Sequence, residues 1–151
     1  MSKWPLRTTR LCLVYGVIAG LALFGTWSQN VHYLQGLAAF LYDAKANPAA
    51  RSVTIDVILI AVSASFFMVW EARKLGIRFV WVYVFFGVTV AISVTFPLFL
   101  IAREFRIARD SGLAARQAND VTTERLASRD IVGFAGLCAL AAWLCWFTLF
   151  A

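Results

Sequence analysis

Four apolar blocks, at about residues 11–27, 53–70, 79–102 and 131–150, contain few charges, and the stretches between them carry nearly every Lys, Arg, Asp and Glu. A helix rises 1.5 Å per residue, so about 20 apolar residues cross the ~30 Å hydrocarbon core of a bilayer. Blocks of this length and spacing fit a chain that threads a membrane several times. Composition rules out an unusually greasy soluble globule. Hydrophobic residues make up 62%, charged residues 15%, and mean hydropathy is +0.77, against about 45–50% and about 25% in soluble domains. The expected fold is all-α, an integral membrane bundle of four transmembrane helices forming one domain over residues 1–151, with a short interfacial helix between the first two spans.

The basic balance, +6 at pH 7, suggests nucleic acid only when the cations share a soluble face. Here they flank the apolar blocks, where they reach toward lipid headgroups and set topology; no nucleic-acid partner is expected. Lys3, Arg7 and Arg10 precede the first block. That block is longer than the apolar core of a signal peptide and lacks an Ala-x-Ala cleavage site, so a retained helix is expected. Within it, Gly16 and Gly20 form a small-x-x-x-small pair that lets another helix approach closely. Packing within the chain is preferred to a dimer contact.

Residues 28–51 join the first two spans. Val31–Tyr42 is apolar but only half long enough to cross, which suits a helix lying at the interface or re-entering. Asn47-Pro48 breaks it, and Ser52 is the expected N-cap of the second span. The turn after that span gathers Glu71, Arg73, Lys74 and Arg78 around the stop signal Gly76. Pro97 predicts a kink in the third span, because it removes a donor and frees the carbonyl of Ser93. Residues 103–130 read as a solvated connector of mixed charge.

Four alternating spans put Trp4, Trp70, Trp81, Trp143 and Trp146 toward one membrane face and Trp27 toward the other. Counted the same way, with the N-terminus inside, the inner segments hold six Lys and Arg and the outer ones eight. The basic first helix and tight turn nonetheless favour an N-inside orientation.

Asp56 carries the most chemical information. A carboxylate at the bilayer centre costs about 2.5–3.5 kcal/mol on insertion scales, so it is expected to be paired, hydrated or protonated. The second span begins on the side where the third ends, so Arg103 comes within its reach, and a structural Asp56–Arg103 clamp is preferred to a proton- or ion-handling acid. His32 is the only histidine, which excludes a histidine-based metal cluster. Cys12, Cys138 and Cys145 form no Cys-x-x-Cys pair. The sequence holds no Ser-His-Asp arrangement, phosphate-cradling glycine loop or His-Glu-x-x-His motif. No metal, no cofactor and no catalytic residues are expected.

Ala46-Asn47-Pro48-Ala49, Asp56, the Glu71–Gly76 turn, Phe96-Pro97-Leu98-Phe99-Leu100 and Arg103-Glu104 follow one another in an order that resembles the DUF2834 family over about Tyr33–Arg106. Gly25-Thr26 also resembles the family pattern. The resemblance implies a small multi-span protein of a bacterial inner membrane with no assigned activity. The expected role is an interaction, accessory or assembly subunit, with the bilayer, a second copy or other membrane subunits as partners. The alternative is a small proton- or ion-coupled transporter using Asp56. A lipid- or isoprenoid-binding enzyme would need more polar lining than these spans supply.

Overall fold

In hydrocarbon every backbone amide must find its partner within the structure, which makes the helix the default for long apolar blocks. The computed structural model describes residues 6–33, 36–114 and 128–150. These form α1 (Leu6–Asn30), α2 (Leu37–Asp43), α3 (Pro48–Lys74), α4 (Val80–Phe86), α5 (Ile92–Ala114) and α6 (Ser128–Phe150), with no strand among the described residues. Four stretches are long and apolar enough to cross a membrane: Leu6–Tyr33, Pro48–Lys74, Val80–Asp110 and Asp130–Phe150.

Helix α3 shows how local chemistry sets the ends. Its N-cap is Asn47, not Ser52. The Asn47 Oδ1 accepts from the Ala50 amide at 2.8 Å, and Pro48 occupies the first turn, where its missing amide costs nothing. At the other end, Leu75 N donates to Glu71 O and Ile77 N to Ala72 O. Gly76, at φ 59°, takes the left-handed position that such an end requires.

The third apolar stretch contains a reversal. From Tyr83 to Phe99 a straight helix would span about 24 Å, yet the two rings lie 5.8 Å apart, edge to face. Arg106 Nε donates to Leu75 O at 2.7 Å, and a Cβ on Gly87 would meet Thr95 Oγ1 at 3.0 Å. These contacts pair α4 with α5 in antiparallel fashion about a π-helical turn, Gly87–Ala91. Against α3, α5 runs parallel, since Phe67 meets Phe96 and Glu71 meets Arg103. The seven residues of α4 rise only about 10 Å, so the reversal comes well short of the far ends of α1, α3 and α6.

The expected kink site, Pro97, lies inside α5, whereas the chain turns earlier. Gly87 leaves room for Thr95, and Val88, Thr89 and Val90 are poor helix formers. The Thr89 and Thr95 hydroxyls back-bond to Phe85 O and Ala91 O, supplying donors for carbonyls around the bend.

Because the chain folds back, α5 ends beside the α3–α4 turn. Asp130, at the start of α6, pairs there with Arg73, and Cys12 of α1 lies within electrostatic range of Glu104. This basic end therefore gathers the start of α1, the end of α3, the end of α5 and the start of α6. The far end holds α2 and the start of α3, and Lys45 lies 4.1 Å over the Phe147 ring of α6. Trp143 and Trp146 thus belong with Trp27 at the far end, and the two sides of the connector both lie at the basic end. Both placements differ from those expected for four alternating spans, and the hairpin is the reason.

Met68, Val69, Ala72, Val80, Val84 and Phe99 form the core, where α3 meets the hairpin. One third of the Val80–Asp110 apolar window is buried, against 6% for the windows in α1 and α6. Helix α1 lies along α5, and α6 lies along α3.

Candidate functional site

The described polar groups with long-range partners concentrate at the basic end. Asp130, fully buried, is set in the first turn of α6. It accepts from Arg73 of α3 and, at 3.2 Å, from Trp81 Nε1 of α4. A buried carboxylate is tolerated only when paired and hydrogen-bonded, and here two helices supply the donors. Arg73 Nε is buried without a partner among the described residues. Trp81 reaches Asp130 because Gly133, one turn along α6, leaves its ring space. A Cβ at Gly133 would collide with Trp81 Cη2. Phe134 closes the contact, 5.9 Å from Trp81 and 5.1 Å from Phe66.

Next to this triad, Arg103 bridges Glu71 at 2.8 Å and Glu104 at 3.0 Å. Arg106 donates to Leu75 O and lies 3.5 Å from Asp110. Lys74 sits 5.3 Å over the Trp70 ring. These contacts fasten α3, the hairpin and α6 together. Among the described residues they bring no free nucleophile beside a general base. No group of His, Cys, Asp and Glu among the described residues is arranged to hold a metal.

The expected Asp56–Arg103 pair does not form. Arg103 returns to the basic end with the hairpin, while Asp56 stays two turns inside the far end of α3. Asp56 is exposed and makes no hydrogen bond or ion pair among the described residues. Of the turn residues, Glu71 and Arg73 are engaged as above and Arg78 is exposed. Gly16 and Gly20 are exposed, with nothing within 4 Å of an added Cβ. The helix packing preferred for them within the chain is therefore absent among the described residues, because α1 presents other residues, Thr8 and Ala19, to its neighbours. His32 is exposed, and Tyr33 donates to Asp43 at 2.8 Å.

Sequence reasoning missed Asp130, Trp81 and Gly133. An acid in the first turn of an apolar helix was the available signal, but with the connector on the other side Arg73 stood at the opposite end of the spans from it. One open apolar groove, about 400 Å³, is lined by Val82, Tyr83, Phe86, Val90, Val94, Thr95 and Leu98 on the two hairpin arms. Asp56 is not among its walls.

The sequence profile of a family described as "Protein of unknown function DUF2834" matches residues 11–105. The match takes in α1 as well as the region with the motifs, and ends within α5. No curated protein and no solved structure matches the chain.

Proposed function

With the premise that this chain belongs to the DUF2834 family, a membrane protein of unknown activity, we propose that it is an assembly or accessory subunit of a bacterial inner membrane. It docks on a partner helix, from a second copy or another subunit, through the face of α3 that carries Asp56. One observation carries this reading: Asp56 is exposed and unpaired among the described residues. Taking Arg51 and Glu71 as the two boundaries, 20 residues or about 30 Å apart, Asp56 lies about 8 Å inside the hydrocarbon. A carboxylate there is costly unless a donor meets it. Ser52 and Ser63, also exposed, share its face at helical spacing and add hydrogen-bonding capacity. The carrier alternative has less support, because the groove lies on the hairpin rather than at Asp56.

The test compares wild type with Asp56→Asn and Asp56→Leu in native membranes, using crosslinking and native electrophoresis. The higher-order species is expected to fall several-fold, with the thermal stability of the detergent-purified protein unchanged. A strictly monomeric wild type, or variants that keep the complex, would overturn the assignment.

The basic end faces the cytoplasm in this reading. Among described residues, Arg7, Arg10, Arg73, Lys74, Arg78, Arg103, Arg106, Arg109 and Arg129 lie at that end, against Lys45 and Arg51 at the other. Such an excess of Lys and Arg near short loops sets orientation. Three crossings (α1, α3, α6) and a re-entrant hairpin then leave the N-terminus inside and Phe150 outside. Thiol labelling of single cysteines introduced at Ser2 and Ala151, in intact and in opened cells, checks this. Labelling of both from the same side refutes it.

A further inference from the structure

We propose that the groove between α4 and α5 holds one acyl chain of an anionic phospholipid, whose phosphate rests on Arg78 and Arg109. The walls favour this occupant over a polar one. Five of the seven lining residues are aliphatic or Phe, and the Thr95 hydroxyl is spent on Ala91 O. A volume of about 400 Å³ lies at the small end of ligand sites, which suits one chain rather than a whole lipid body.

Charge at the open end selects the headgroup. The pairings of Gly76 with Arg106, Tyr83 with Phe99 and Gly87 with Thr95 fix the register of the hairpin. In that register Arg78 stands opposite Glu104, one turn beyond Val82. Arg109 follows Leu98 and Phe105 along the same side of α5, about 8 Å further out. Both arginines are exposed and make no hydrogen bond or ion pair among the described residues. Arg103 and Arg106, between them, are engaged by Glu71, Glu104, Leu75 O and Asp110. A phosphate diester accepts charge-assisted bonds from two such guanidinium groups. Phe79, exposed and left-handed at φ 61°, adds an apolar side chain next to Arg78 in the chain.

The experiment measures lipid retention on the full-length protein in mild detergent by native mass spectrometry, with thermal unfolding alongside. Palmitoyl-oleoyl phosphatidylglycerol, the matching phosphatidylethanolamine and inorganic phosphate are the three probes. Phosphatidylglycerol is expected to bind roughly 10- to 30-fold more tightly than phosphatidylethanolamine, at about 1 kcal/mol for each arginine. Inorganic phosphate is expected to give no shift. Arg78→Ala with Arg109→Ala should erase the preference for phosphatidylglycerol, and Leu98→Trp, which fills the groove from an exposed position, should lower retention of both lipids. An unchanged preference in the double variant, wild-type retention in folded Leu98→Trp, or saturation by phosphate alone would each overturn the proposal. The arginine variants keep it testable if Leu98→Trp fails to fold.

Discussion

Replacing Asp130 with alanine tests whether the buried triad, rather than the apolar packing around it, anchors α6. The carboxylate is fully buried and holds Arg73, whose side chain is 21% exposed, together with the indole N–H of Trp81. Removing one member of a buried ion pair costs about 3–5 kcal/mol, because the other charge is left uncompensated. Arg73 retains some access to solvent and lies at headgroup depth, which places the expected loss near 3 kcal/mol. Asp130→Asn keeps an acceptor for Trp81 and should lose about 2 kcal/mol. Glu71→Gln is the comparison: its pair with Arg103 is 15% and 28% exposed, and Arg103 retains Glu104, so about 1 kcal/mol is expected. Unfolding in mixed micelles with increasing dodecyl sulfate, followed by circular dichroism, ranks the three. In a double-mutant cycle, Arg73→Met with Asp130→Leu should cost less than the sum of the single changes by about 1.5 kcal/mol or more. If Asp130→Ala costs no more than Glu71→Gln, or the cycle is additive, the triad is not the anchor.

Gly133→Ala should lose about 1–3 kcal/mol, because its Cβ collides with the Trp81 ring and pushes the indole away from Asp130. The same change at Gly136, which has nothing within 4 Å, should be neutral or gain up to about 1 kcal/mol from helix propensity; equal effects at the two sites refute the contact. Gly87→Val should open the hairpin, since the added atoms collide with Thr95 and Ile92. Its signature is loss of a crosslink between cysteines placed at Tyr83 and Phe99, and a retained crosslink would show that the reversal does not depend on Gly87.

Hydropathy reported well on what each segment is and poorly on where it goes. The four apolar stretches, the α3–α4 turn and Gly76 as its stop were all legible, because burial in lipid and left-handed backbone leave direct marks on composition. The reversal at Gly87–Ala91 left almost none. Both arms of the hairpin are apolar, so a span of 24 residues and a pair of short helices that turn back look alike to a hydropathy window. From that single ambiguity came the assignment of Arg103 to Asp56, the misplaced Trp143 and Trp146, and the division of the basic residues between two ends. Asn47 was likewise read as a breaker, although a side-chain acceptor followed by proline also describes a helix start. Gly16 and Gly20 show the complementary limit. Spacing identifies a smooth face, but only the neighbouring helices decide whether anything lies on it.

The hairpin also bears on how the protein fits the membrane. Neither α4 nor the apolar part of α5 reaches about 20 residues, so the two arms fit a bilayer only together, with partners from the rest of the chain for the turn between them. Helices α1 and α3 supply that cover, since both pack on α5. Helix α6 joins at the basic end, where Asp130 meets Arg73 of α3 and Trp81 of α4. Without α6, Arg73 would lose its buried carboxylate partner.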